Sequence, residues 1–454
     1  MAYVTVPGAS GTTINVSVTG ANNSAAVELY KGLLATSGLT QVVGVAGSTT
    51  AASSSQVDVT SAGAYTISGS GAGNSIVVGQ SVAAGSSNAS ILNASVGISV
   101  AGAVSSHVSV YSGNAGSTTI DGGSASYASI VGGAGDNLIR TVSNSAATIL
   151  TGSGNDTIYT GSGIYTVNAG DGNNNIQLGA GTNYVRSEGT DTISGTGNHD
   201  TVTIVGGSSI VSLGSSALIV NAGSGSTITA GGGSTLAGGS SDMVTFTSGT
   251  GSVLGGMSDT ISAAGNLTAT NVDGGSLSVS GALNFVGGSG DTTITAGSAT
   301  VYGASGLNAY IGASSGNVLF ASLGGDQTLN GANTTSALHA FGNTGYTVFI
   351  GGTGADTLVA GAGGTSLTGG TGSGNLFAWL NGHEGGSSVI TDFGSAAGNQ
   401  VALYDYGYQN NGGLQTLLNS AVVSNGNTTL TLSDKSTITF LNVTDLKASD
   451  FQLS

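Results

Sequence analysis

A strict short repeat restricts a chain more than composition can, because every copy must fold alike and pack on its neighbours. Residues 151–186 divide into nine-residue blocks starting at Thr151, Thr160, Ala169 and Leu178. Each block has Gly at its second and fourth places and an aliphatic residue at its eighth: Ile158, Val167, Ile176 and Val185. Blocks starting at Gly351, Ala360 and Gly369 follow the same plan, and weaker copies start at Gly132 and Gly287. Glycine supplies the positive φ of a tight corner. The aliphatic residues point inward and stack on their equivalents, so Ile158, Val167, Ile176 and Val185 are expected to form a structural ladder. With two blocks per coil and a rise of about 4.8 Å, the chain would make ~20 coils and a rod on the order of 100 Å.

Outside the blocks, two-residue alternation recurs at Thr13–Val18, Ser95–Val100, Thr201–Ile204, Ser276–Ser280 and Thr429–Leu432, each close to Gly, Ser or Asn. This is the signature of short strands. The predicted fold is therefore all-β, a parallel β-solenoid of the β-roll or β-helix kind. Small residues suit its thin core: 83 of the 454 residues are Gly. Three segments are expected. Residues 1–45 form an N-terminal cap or assembly segment. Residues 46–387 form the Gly/Ser/Thr/Asn-rich solenoid, with nonapeptides at 132–186 and 351–377. Residues 388–454 form a C-terminal β-rich segment. One helix is predicted at Ala25–Ala35, capped by Asn23-Ser24, with Val27, Tyr30 and Leu34 on one face and Gly32 weakening its interior; it would cover an open solenoid end.

Five Lys+Arg stand against 21 Asp+Glu, for a net charge of −16. So few cations cannot track phosphates, which excludes nucleic acid. A surface of hydroxyls and amides suits a cation, a sugar or another copy of the chain. The absence of Cys removes disulfides and thiolate chemistry. The N-terminus lacks a basic region followed by an apolar core, so no signal peptide is expected there, and no apolar run is long enough for a transmembrane segment. His383-Glu384 begins like a zinc-protease motif but has no second His at the required spacing. With two Arg in the chain, a lyase or hydrolase groove lacks its usual charges. The chain is not expected to be an enzyme.

The blocks at 151–186 and 351–377 resemble the nonapeptide repeat of RTX proteins, which Gram-negative bacteria export by type I secretion. The tail adds to the likeness. Ser388–Phe393 carries Thr391-Asp392-Phe393, similar to the strand that leads into the last segment in that family; Gly398–Leu403 and the strand-like Asn427–Leu432 and Ser436–Leu441 follow, and the chain ends Asp450-Phe451-Gln452-Leu453-Ser454. In that family the C-terminal region is the secretion signal. The resemblance implies a type I secretion apparatus as partner and an extracellular or cell-surface location. It also implies Ca²⁺ between coils, bound by the sixth-position Asp and by turn carbonyls, chemistry that suits a hard cation. Asp156 and Asp356 match that position; Asp136, Asp171 and Asp291 are displaced candidates. The other blocks carry Tyr165, Asn174, Asn183, Thr365 and Gly374 there, and the weaker copies Asn137 and Thr292. Asn keeps the oxygen and loses the charge. The alternative is that Asn and Thr form hydrogen-bonded ladders along the coils without metal.

The expected function is a non-catalytic secreted structural protein that self-assembles into a fibre, surface layer or biofilm matrix, since open sheet edges invite stacking. The alternative is a secreted adhesin or an ice- or carbohydrate-binding solenoid, with a cell-surface polysaccharide as partner.

Overall fold

The computed structural model describes residues 2–18, 27–28, 31, 39–69, 74–83, 92–102, 107–121, 126–141, 146–382, 386–410 and 412–453. The chain divides into two compact units, Met1–Gly239 and Ser240–Ser454. Each is a parallel β-solenoid. The helix expected at Ala25–Ala35 lies largely outside the described residues. No helix among the described residues is long and apolar enough to cross a membrane.

In the first unit each coil supplies one strand to each of two parallel sheets. Thr157–Tyr159 pairs with Asn175–Leu178, and Tyr165–Asn168 with Tyr184–Ser187. Two nonapeptides therefore make one coil. The step from Thr157 to Asn175 is 18 residues, and from Asn175 to Thr192 it is 17. The inward ladder forms as expected: Ile158 pairs with Ile176 in one sheet and Val167 with Val185 in the other. It is longer than the repeats. Ile98, Ile120, Ile139, Ile158, Ile176 and Ile193 align in consecutive coils, and all are buried. Each stacks on a side chain of its own shape, which fills a narrow core with β-branched residues at strand positions that favour them.

The corner glycines meet two demands. Gly170 and Gly172 have positive φ (69° and 122°). Gly179 and Gly181 do not, yet a Cβ there would collide with the carbonyl oxygens of Gly161 and Gly163 one coil earlier. Close approach between stacked corners, as much as left-handed backbone, requires glycine there.

An N-terminal element that the repeats do not announce covers one sheet from outside. Ala2–Pro7, Thr12–Val18 and Gln80–Ala83 form a small antiparallel sheet. Its Val6, Ile14 and Val16 pack on Val77, Tyr111, Val131 and Leu150, which the parallel register aligns in one outward column. Ser55–Val59 and Asn74–Val78 are consequently buried on both faces, whereas Tyr184–Ser187 alternates exposed and buried. Asp58 pins this cover. It is buried, and its carboxylate accepts the Ala9 N–H at 2.7 Å and the Gln56 amide at 2.7 Å. The same amide donates to the Pro7 carbonyl at 2.6 Å.

In the second unit Gly275–Gly287 and Gly290–Gly303 bend through a corner and serve both sheets, with a register shift between Val279 and Ala282. The core turns aromatic near the C-terminus: Phe393 meets Phe377 at 6.1 Å and Phe440 at 5.2 Å between ring centroids. The expected C-terminal β segment adds Thr437–Phe440 in parallel to Ser387–Ile390. It then reverses: Asn427–Thr431 and Val422–Ser424 continue the sheet antiparallel, beside a short helix at Gly413–Asn419. Phe451–Leu453 ends the other sheet on Gln400–Tyr404.

Asp58→Ala should strand the Ala9 N–H and the Gln56 amide. A stability loss of about 1–3 kcal/mol in chemical denaturation is expected, with earlier proteolysis of the N-terminal hairpin. Unchanged denaturation would show that the apolar column alone holds the cover.

Candidate functional site

The sixth place of each block lies just before a strand, on the same inward side as the eighth, because side chains alternate with a period of two. There the side-chain oxygen of one coil accepts the backbone N–H of its counterpart in the preceding coil. Asn137 N–H donates to Asp156 Oδ1 at 2.8 Å, Asp156 N–H to Asn174 Oδ1 at 2.8 Å, and Asn174 N–H to Asp191 Oδ1 at 2.9 Å. Serines extend the series: Asp191 N–H reaches Ser209 Oγ at 3.3 Å, and Ser209 N–H reaches Ser226 Oγ at 3.2 Å. On the other corner Tyr165 N–H donates to Asn183 Oδ1 at 3.3 Å and Asn183 N–H to Asp200 Oδ1 at 2.9 Å. The second unit repeats the device. Leu338 N–H donates to Asp356 Oδ1, and Asp356 N–H to Asn375 Oδ1, both at 2.9 Å, while Asp242 N–H reaches Asp259 Oδ1 at 2.9 Å. A second, exposed ladder runs the opposite way one residue earlier. Asn155 N–H donates back to Asp136 Oδ1 at 2.7 Å and Asn173 N–H back to Asn155 Oδ1 at 2.9 Å.

The candidate carboxylates thus fall into different settings. Asp156 and Asp356 are each 1% exposed. Asp136, Asp171 and Asp291 are exposed; Asp171 bridges to Ser153, and Asp291 lies in the strand Gly290–Gly303 and accepts from the Asn308 amide at 2.9 Å. No group of three or more His, Cys, Asp or Glu gathers around a common point among the described residues. Asp356 has both oxygens committed, Oδ1 to Leu338 and Oδ2 to the Gly352 N–H at 2.7 Å, and offers a cation little. Asp156 differs. Its Oδ1 accepts twice from Asn137, while Oδ2 is buried without a hydrogen-bond partner. The nearby Thr151 hydroxyl donates to the Ala169 carbonyl at 2.6 Å.

Burial pushes the Asp156 carboxyl up to about 6, against the pull of Thr151 and Asn137. Asp259 also rises to about 6, through burial above all and the nearby Asp242 charge, against the Asp242 N–H. Asp191, Asp200 and Asp356 are raised by the same loss of water, partly offset by their hydrogen bonds.

Asp191, Asp200, Asp242 and Asp259 escape the nonapeptide template because the coil shortens to 17 residues after Asn175. Their visible signal is Asp followed two residues later by an inward aliphatic: Asp156/Ile158, Asp191/Ile193, Asp200/Val202, Asp259/Ile261. In the block at Gly369 the ladder residue is Asn375 and the inward residue Phe377, each one place later than the template requires. The Thr391-Asp392-Phe393 motif has a packing role. Asp392 accepts the Gly369 and Gly370 N–H groups at 2.8 and 2.9 Å, and Phe393 fills the core. No protein-family model, curated protein or solved structure matches the chain.

The raised carboxyl groups fix the sign of a pH response. A folded-state pKa above the unfolded value means that folding takes up protons. The stabilisation is complete below the ordinary value of 3.8 and is lost as pH rises through about 6. Melting temperature should therefore fall between pH 4.5 and pH 8, each strongly shifted group contributing on the order of a few kcal/mol. Asp156→Asn keeps the acceptor and removes the charge, as Asn174 and Asn183 do. It should raise the melting temperature at pH 8 and flatten the profile; a lower melting temperature at pH 8 would show that the ladder needs the charge.

Proposed function

We propose that this protein is a non-catalytic secreted structural protein that assembles with copies of itself outside the cell, as a fibre, surface layer or biofilm matrix. One observation carries the reading: among the described residues, strands at sheet margins pair on one side only and carry exposed valines. Among the described residues Val422–Ser424 pairs on one side only, with Asn427–Thr431, and Val422 and Val423 are 63% and 54% exposed. Thr40–Val43 likewise pairs on one side, with Ser55–Val59, and Val43 and Val45 are 53% and 61% exposed. Soluble proteins normally protect such edges with Lys, Pro or a bulge. An edge that meets a different edge on the next copy gives an open polymer. Export through a type I secretion apparatus, directed by the C-terminal region, belongs to the same reading.

Calcium enters at Asp156 and not at Asp356, because only the former keeps an open carboxylate oxygen. The remaining ligands would be turn carbonyls, since Ca²⁺ takes six to eight oxygens. A cation there would also relieve the cost of the buried charge. An ice-binding surface draws no support from the Thr166 column, where Tyr184 and Leu218 interrupt the threonines.

Negative-stain microscopy of the purified chain, with Ca²⁺ and after exhaustive chelation, tests both parts. Ordered fibres or sheets are expected with Ca²⁺, and dispersed particles in both conditions would overturn the assembly reading. Chelation should lower the melting temperature, and Asp156→Ala should blunt that response. An identical melting curve after chelation would remove calcium and leave the fold intact.

A further inference from the structure

The antiparallel end of the second unit leaves one strand edge open. Val422–Ser424 pairs with Asn427–Thr431 across a tight turn, Asn425-Gly426, whose φ angles are 50° and 80°. Positive φ at both turn residues is the geometry that joins two twisted antiparallel strands. The outward backbone groups follow from the next strand. Leu432 N–H donates to the Ser436 carbonyl at 2.8 Å, so Thr428 and Leu430 bond towards Phe440 and Ile438. Asn427 and Thr429 therefore bond the other way, towards Ser424 and Val422. Val423, between those two, turns its N–H and C=O away from the sheet. Among the described residues no strand pairs with that side.

We infer that this edge docks a second copy of the chain through a two-fold axis at Val423. The pairing rests on the assembly reading for the identity of its partner and adds the strand that makes one contact. A two-fold axis perpendicular to the sheet sets Val423 opposite its own counterpart, antiparallel, and each N–H meets the other's C=O. One segment supplies both halves of the contact. Val422 and Val423, 63% and 54% exposed, lie on opposite faces of the strand, and both lose water-exposed surface on pairing.

Charge selects this edge. No Asp, Glu, Lys, Arg or His occurs between Asp405 and Asp434. Two such segments approach without adding a like-charge pair, in a chain whose net charge of −16 otherwise keeps copies apart. Phe451–Leu453 also pairs on one side only, with Gln400–Tyr404, but Asp445, Lys447 and Asp450 precede it, and charges of this kind blunt an edge. The Val423 contact is isologous and closes on itself, so it joins chains in pairs; a polymer needs a second, different contact.

The test is sedimentation equilibrium of the full chain, at concentrations below those at which light scattering detects polymer. A reversible dimer is expected. Val423→Pro removes the outward N–H and leaves the hairpin's own bonds, because Val423 and Thr428 are the pair that exchanges none. It should weaken the dimer about tenfold or more at an unchanged melting temperature, and Val423→Lys should do the same. Disulfide trapping reads the register, in a chain without Cys of its own. The two-fold pairing sets residue 422 of one copy beside residue 424 of the other. Val422→Cys mixed with Ser424→Cys should therefore cross-link several-fold more than either alone. A single-chain species at every concentration would leave the edge to a peptide of another protein and overturn the contact. A dimer untouched by Val423→Pro and Val423→Lys, or equal cross-linking in mixed and unmixed samples, would overturn it too. Filaments in negative stain report on the polymer separately: their absence beside a register-specific dimer would remove the polymer and uphold this contact.

Discussion

A parallel coil cannot satisfy its own backbone. Each strand's N–H and C=O groups find partners only in the coils before and after it, so successive coils must present the same backbone at the same height. The tightest point is the corner, where Gly179 lies against the Gly161 carbonyl and Gly181 against that of Gly163. Any side chain there would force the coils apart and break the strand pairing on either side. The inward column inherits its regularity from this constraint. Once corners stack, Ile158 must fall on Ile176, and shape matching of like on like fills the core.

The side-chain ladder extends the same logic to a corner that the sheets leave unpaired. A strand's last preceding N–H points at the next coil, and an oxygen one coil along accepts it, whether from Asn174, Asp156 or Ser209. Chemically these acceptors are interchangeable as hydrogen-bond partners and unequal in charge. Asn costs little to bury. Asp brings a carboxylate into a dry corner, which raises its pKa and, at Asp156, leaves one oxygen without a partner. The choice of Asp over Asn makes a purely structural ladder responsive to protons and, in the proposed reading, to a cation outside the cell.

Much of this was legible in the residues. The nine-residue period announced the parallel coil and the inward Ile and Val, and the sixth place was singled out only by the resemblance to RTX repeats. Other features were hidden for identifiable reasons. The shift from 18 to 17 residues per coil carried Asp191 and Asp200 out of the template while leaving them in the ladder. Gly374 held the sixth place on paper, but the bonds of the coil chose Asn375. The cover formed by Ala2–Pro7 and Thr12–Val18 had alternation visible in part, yet nothing local said that it would lie on Val77, Tyr111, Val131 and Leu150. Those four residues are separated along the chain and meet only through strand register.

The sequence by itself determined the period, the parallel solenoid and most of its inward residues, the block at Gly369 excepted, because a short repeat with fixed glycines restricts the ways of stacking. Only the tertiary structure decided which carboxylates have open oxygens and which outward column is covered. These depend on which residues from different coils share a height. That is set by the running sum of coil lengths and by register, neither of which any single repeat contains.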